Sequence, residues 1–331
     1  MKNTFTRLLL ALASTCLLSV VAPVAHAQMA PGTVVSIIVP YPAGGLSDLL
    51  ARAIAPTLSK LLSRTVVIEN ITGASGSIAA AKVLNAPANG SMLFLGSPTE
   101  AVLAPLTLRT VKYQASDFRL ISMMNTAPLA LYVRGDLPVS NVDELLALAK
   151  QSTAKDLSYG STGPGSLYHL AGDSFRAAAG INAVHIPYRG GMPLLQDLMG
   201  NNVDMTLMPV DGTIAKMVES GKMKAIAVAA PARSVRFPNV PTFSESKSMP
   251  RFTTPPVWGG VMVSSATPES VVAQLFKALS DTLAVPEVRQ AIEAAGGGLP
   301  APMTLGQMSD FYQGESVKLT ALAKAAKLEP N

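Results

Sequence analysis

Short apolar runs of strand character alternate with helical patterns along nearly the whole chain, and few folds accommodate that order. The runs lie at 34–39, 65–69, 91–96, 157–160, 183–187, 203–208 and 223–229. Helical patterns separate them, near 46–62, 76–85, 140–151, 166–178, 190–199 and 211–220. Alternation at this spacing predicts α/β architecture, with parallel sheets covered by helices on both faces. In the helix at 140–151, Ser140 and Asp143 form a cap, and Val142, Leu145, Leu146 and Ala149 make one apolar stripe. Pro56 falls inside the first long helix, where a kink is expected.

Two segments break the alternation. Ala127 to Arg134 precedes the helix at 140, and Val257 to Val263 follows a stretch containing Pro250, Pro255 and Pro256. After the second come only helices, near 268–282, 286–295 and 305–325. These two strands are expected to cross between domains. One α/β lobe then comprises 28–129 and 259–331, and the other, 130–258, is inserted into it. The length suffices for two medium domains. No short fixed-period repeat is visible.

The chain opens with the features of an export signal. Lys2 and Arg7 precede an apolar stretch from Leu8 to Val21, and Ala25-His26-Ala27 gives an A-x-A exit. A cleavable signal over 1–27 places the mature protein outside the cytoplasm. Cys16, the single cysteine, lies inside it, and Ala13-Ser14-Thr15 is a poor lipobox beside the better exit at Ala27. The mature chain then has no disulfide, thiol nucleophile or cysteine metal site. The net charge of +5 includes two cations of the signal, and no dense Lys/Arg run remains. Nucleic acid is therefore not an expected partner. Two isolated histidines, His169 and His185, make a poor metal site, and no metal or cofactor is expected.

Three loops follow strands and open helices. Pro40 to Asp48 is neither G-x-G-x-x-G nor a P-loop, yet Gly44 and Gly45 allow close approach to the backbone and Ser47 adds a hydroxyl. Tyr159 to Ser166 offers the hydroxyls of Ser161, Thr162 and Ser166, with Gly163 among its glycines. His185 to Gly191 adds Tyr188 and Arg189. Free N–H groups at such helix starts bind anions, and open α/β sheets take ligands beyond the carboxyl ends of their strands. Each loop also reads as an ordinary tight turn, with Asp48 on the helix dipole, Tyr188 packed and Arg189 solvated. The first two loops contain no lysine or arginine, so neutral donors are expected to hold an anion. Trp258 suits either a cleft wall or hinge packing, and the methionines suit core filling. A hydrolase using Ser47, Ser161 or Ser166 would lack a G-x-S-x-G elbow, and neither histidine sits in a recognisable triad context.

Six stretches in order carry a family resemblance: IIVPYPAGGLSDLLARAIAP, VVIENITGASGSIAAAKV, LSYGSTGPGSLYHLAG, HIPYRGGMPLLQDLMGNNVD, KAIAVAAPARSVRFPNVPTFSES and VWGGVMVSSATPESVV. Together they resemble the Bug-type receptors of tripartite tricarboxylate transporters, over essentially the whole mature chain. The resemblance implies a two-lobed periplasmic-binding-protein fold, type II-like, closing on a small organic carboxylate. It implies a monomeric, non-enzymatic receptor that hands its ligand to the membrane permease subunits of the transporter; a sensor feeding a signalling partner is the alternative. The family's ligand loops fall on Tyr41, Ala43, Gly45, Ser47 and Asp48, and on Ser161, Thr162, Gly163 and Ser166. Its P-Y-K/R-G motif falls on Pro187, Tyr188, Arg189 and Gly190. Two positions depart from the family pattern. Pro209 and Val210 stand where an Asp-Ser pair often follows Val203-Asp204, and Leu46-Ser47 replaces Pro-Thr before Asp48. Both changes reduce polarity and leave room for a less polar acid.

Overall fold

A computed structural model of the chain describes residues 32–151, 157–296 and 298–325. The expected signal, with its exit at Ala27, lies outside them.

Along the chain run β1 (Val35–Val39), α1 (Leu46–Leu62), β2 (Val66–Asn70), α2 (Ser77–Asn85) and β3 (Met92–Gly96). A π-turn at Thr99–Leu103 leads into α3 (Ala104–Thr107), and β4 (Phe118–Ala127) follows. Next come β5 (Leu129–Arg134), α4 (Val142–Ala149), β6 (Leu157–Ser161), α5 (Leu167–Ala179) and β7 (Ala183–Pro187). Then α6 (Gly191–Met199), β8 (Met205–Pro209), α7 (Gly212–Glu219) and β9 (Met223–Val228) precede β10 (Val257–Ser264). Helices α8 (Glu269–Ala284), α9 (Pro286–Ala295) and α10 (Leu305–Ala325) close the described chain.

Two five-stranded sheets result, ordered β2-β1-β3-β10-β4 and β7-β6-β8-β5-β9. The chain passes between them twice. Pro128 separates β4 from β5, and the proline-rich stretch separates β9 from β10. The expected run from 127 to 134 is thus the junction of two strands, one in each sheet. Strand β4 carries no alternation in FRLISMMNTA because it is buried on both faces. The sheets are mixed rather than parallel. Strand β10 runs antiparallel to β3 and β4, and β5 antiparallel to β8 and β9. A strand arriving from the other sheet has no helical crossover to reverse it, so it pairs antiparallel.

Side chains on alternate positions feed opposite faces. Val35, Ile37 and Val39 of β1 pack with Leu50, Ile54 and Leu58 of α1 and Leu275 of α8, while Ile38 faces the cluster holding Phe94, Ala79 and Leu319. In the second sheet Leu129, Leu131 and Val133 share that large cluster, whereas Ala130 and Tyr132 meet Leu194 and Ile214. Helix α1 contains Pro56 within one uninterrupted element. The cap of α4 is Asn141, whose side chain accepts the Glu144 N–H, while Glu144 reaches back to Ser140 N–H. Asp143 instead accepts the Ser246 hydroxyl and the N–H groups of Lys247 and Ser248, tying α4 to the crossing stretch.

Candidate functional site

The carboxyl ends of β1, β3, β6 and β8 open onto a narrow cavity of about 90 Å³ between the sheets. Three helix N-termini reach it. Gly45 and Ser47 come from the start of α1, Gly191 and Met192 from α6, and Asp211 and Thr213 from α7. No side chain caps α1 or α6, so their first N–H groups are left for another acceptor. The start of α7 is satisfied internally, since Asp211 accepts the Ile214 N–H at 2.7 Å.

Of the residues expected to bind, Tyr41, Gly45, Ser47 and Thr162 line this cavity. Thr162 is 4% exposed, and its hydroxyl has no hydrogen-bond partner among the described residues. Burial pushes the Tyr41 hydroxyl well above its ordinary pKa, and the neighbouring Glu100 reinforces that. Glu100, itself fully buried and shifted upward by that burial, accepts the Ser97 N–H and hydroxyl, each at 2.7 Å.

The other candidates stand apart from the cavity wall. Ala43 is exposed. Asp48 sits behind the loop, where its carboxylate accepts the Gly44 N–H, Arg52 Nε and Asn70 Nδ2 at 2.9–3.1 Å. Burial alone would raise its pKa, but these bonds outweigh it and hold the carboxyl below the ordinary range. Ser166 is fully buried and caps α5 by accepting the His169 N–H. Gly163, Tyr188 and Arg189 line a second cavity, about 250 Å³, on the far side of Tyr41 and Thr162. The Tyr188 hydroxyl donates to Asp197 at 2.8 Å, and Arg189 is exposed.

Ser161 has a partner that the sequence did not disclose. Its hydroxyl lies 2.7 Å from His185 Nε2 and also accepts the Gly163 N–H. His185 stacks on His169 with centroids 4.0 Å apart, and His169 reaches Asp173 at 3.3 Å. His169 Nδ1 accepts the Gly165 N–H, so this ring caps the loop. Ser161 is 0% exposed, and burial followed by the neighbouring ring pushes His185 down to about 4. A buried hydroxyl beside so weak a base buttresses the glycine loop.

Asn125, Tyr168, Met208, Asp211 and Trp258 are among its other lining residues. Asp211 lies two positions after the end of β8, where strand-end reasoning could have flagged it. Its burial pushes the carboxyl up to about 6, against the N–H groups of Ile214 and Thr213 and the charge of Arg236. Asn125 belongs to β4, whose pattern gave no signal; its carboxamide lies over Gly259, whose absent Cβ would fall 2.5 Å from Oδ1. The place of Trp258 agrees with the cleft-wall reading. It lines the cavity and packs edge-on against Phe311 and Tyr312, with an unpartnered Nε1.

The model of the tripartite tricarboxylate transporter family receptor matches residues 50–328. The chain belongs to this receptor family. Among curated relatives, the protein BugT of Bordetella pertussis is 31% identical over 300 residues, 89% of this chain and 90% of its own. A UPF0065 protein of Pseudomonas sp. strain P51 is 30% identical, covering 91% of this chain and 88% of that relative. The fold matches the periplasmic binding protein BugD with a TM-score of 0.82 at 30% identity, over 91% of this chain and all of that one. It also matches Rhodopseudomonas palustris MatC with bound malate, at 0.81 and 26% identity, over 88% and 99% of the two chains. R. palustris Rpa4515 with adipate matches at 0.82 and 29%, over 91% and 99%. The receptor is thus a periplasmic solute-binding protein of two α/β units, as its motifs implied. Among the described residues no helix is long and apolar enough to cross a membrane, and no group of three His, Cys, Asp or Glu side chains is arranged to hold a metal.

Proposed function

We propose that the receptor captures a small organic carboxylate in the cavity between its sheets and delivers it to the membrane subunits of a tripartite tricarboxylate-type transporter. It acts as a monomer, without catalysis, after a signal ending at Ala27 has exported it. The lobes are 28–129 with 259–331, and 130–258. One observation carries the reading: the uncapped starts of α1 and α6 and the unpartnered Thr162 hydroxyl face one cavity. Donors without acceptors are what a carboxylate completes. Each charge-assisted hydrogen bond contributes about 1.5–3 kcal/mol, and micromolar affinity needs about 8 kcal/mol. Bound malate and adipate in two structural neighbours agree with this ligand class.

A thermal-shift screen of small carboxylates on the mature protein tests the proposal, because a ligand that binds only the folded state raises its melting temperature. At least one acid should raise it in proportion to the logarithm of its concentration. Silence across mono-, di- and tricarboxylates would end the proposal.

A further inference from the structure

The cavity is asymmetric in charge. Its neutral polar groups are the helix starts and Thr162, with Ser97, Asn125, Tyr168 and Trp258 Nε1 also on the lining. Leu46, Leu50, Leu95, Met192, Leu195 and Met208 supply an apolar wall. Among the described lining residues there is no lysine, arginine or histidine, while Asp211 contributes a carboxylate. A second ligand carboxylate would therefore lose its water without gaining a cationic partner, and would share the cavity with the Asp211 anion while only neutral groups such as Asn125 and Trp258 Nε1 offset it. Uncompensated burial of a charge is among the costliest events in a protein.

We propose that this cavity selects a monocarboxylate with an apolar body and excludes a dicarboxylate of the same carbon skeleton, with Asp211 as the specificity-determining residue. The inference rests on the carboxylate-receptor reading above and narrows it. Asp211 is 5% exposed and fixed as the cap of α7 by its bond to Ile214, so it cannot swing away from an incoming anion. With its pKa near 6 it is mostly ionised at neutral pH. Tyr132 and Tyr168 are the neighbouring titratable hydroxyls, and their raised pKa values keep them neutral. Arg236 offsets part of the Asp211 charge from outside, but it donates to the Glu293 carbonyl and is absent from the lining. Pro209, two positions before Asp211, also lines the cavity and brings no N–H or hydroxyl to receive a second acid group.

Titration calorimetry at pH 7.5 with matched pairs decides the matter: pentanoate against glutarate, hexanoate against adipate, 4-methylbenzoate against terephthalate. The monoacid should bind at least tenfold tighter in every pair that binds. In Asp211→Asn the ratio should narrow at least fivefold through tighter dicarboxylate binding; asparagine caps a helix as well as aspartate does, so α7 stays capped. A dicarboxylate that binds wild type as tightly as its monoacid overturns this inference and leaves the carboxylate-receptor reading standing. A ratio unmoved by Asp211→Asn removes Asp211 from the selection. Failure of every acid in all three pairs overturns the inference, and the wider carboxylate screen then decides the reading beneath it.

Discussion

The Ser75 hydroxyl donates a 2.7 Å hydrogen bond to the carbonyl of Pro164. Ser75 lies between β2 and α2 of one sheet's unit, and Pro164 between β6 and α5 of the other's, so the bond spans the cleft. A second such bond runs from the Leu167 N–H to Thr99 Oγ1 at 3.2 Å. Ala74 and Ser75 both hold positive φ, at 45° and 52°. Side chains of non-glycine residues rarely tolerate that region, and the conformation costs of order 1–3 kcal/mol per residue. The segment is held in shape where it meets its partner across the cleft.

Ser75→Ala should therefore weaken binding of the tightest acid found by screening about two- to tenfold, the worth of one net hydrogen bond. The loss should appear chiefly in the dissociation rate, because the bond exists only while the cleft is shut. Stopped-flow measurement of both rates checks this; an unchanged dissociation rate means the bond holds nothing closed.

Thr162→Val should act with opposite signs on stability and binding. The hydroxyl is buried without a partner, which costs about 1–3 kcal/mol, so removing it should leave the ligand-free protein as stable or up to about 1 kcal/mol more stable in urea. Affinity for the acid should fall about tenfold or more. Arg189→Ala is the control: the side chain is exposed and outside the main cavity, and affinity should change less than threefold. A large loss at Arg189 with none at Thr162 would mean that a cation, rather than neutral donors, holds the anion.

Much of this architecture is readable without coordinates. The periodicity at 46–62 coincides with α1 to the residue, and that at 305–325 begins with α10 at Leu305. Local pattern sets such boundaries, so local pattern reveals them. Asp48 shows the opposite case. From sequence it is a residue in a ligand loop, yet its carboxylate is consumed by Asn70, 22 positions away. The same holds for Ser161 and His185, 24 positions apart. Which face of a loop reaches the ligand is decided by pairing of distant strands, and the residue types in the loop carry no trace of it. Asn125 was illegible for a related reason: β4 is buried over most of its length, so its composition records burial rather than a site.

The stacked histidines predict a pH dependence. Burial lowers the pKa of both rings, that of His185 to about 4, against an ordinary value of 6.5. Between those values the unfolded chain binds protons that the folded protein does not. The contribution is complete above pH 6.5 and is lost as pH falls toward 4. Asp211, raised from 3.8 to about 6, acts in the opposite direction between those two values. Comparison with His185→Gln, which keeps a polar group beside Ser161, isolates the ring. Urea unfolding at pH 7.5 and 5 should show the wild type losing more stability than the variant. Equal losses would mean that His185 is protonated in the folded protein at its ordinary pKa.

Closure can be tested at Gly165, where the two units touch closely. Gly165 has φ +72°, and a Cβ there would fall 1.9 Å from Thr107 Oγ1 and 2.5 Å from its Cβ. Gly165 precedes α5 of one unit, and Thr107 ends α3 of the other. Thr107 is 2% exposed and its hydroxyl is bonded to the Leu103 carbonyl at 2.8 Å, so it cannot turn aside. The added methyl must therefore push the units apart. Each has core contacts away from this point, such as Val35, Ile37 and Leu58 in the first and Ala130, Tyr132 and Leu194 in the second. The fold should survive, at a backbone cost of about 1–2 kcal/mol for the left-handed position. Affinity for a ligand enclosed by both units should fall at least a hundredfold. Small-angle scattering of the wild type should show compaction when the acid is added, and Gly165→Ala should show none while its circular dichroism is unchanged. Thr107→Gly on the same background removes the obstructing Cβ and should restore part of both signals. If Gly165→Ala alone compacts and binds like the wild type, the ligand is held by one unit, and closure of the second upon it is not part of capture.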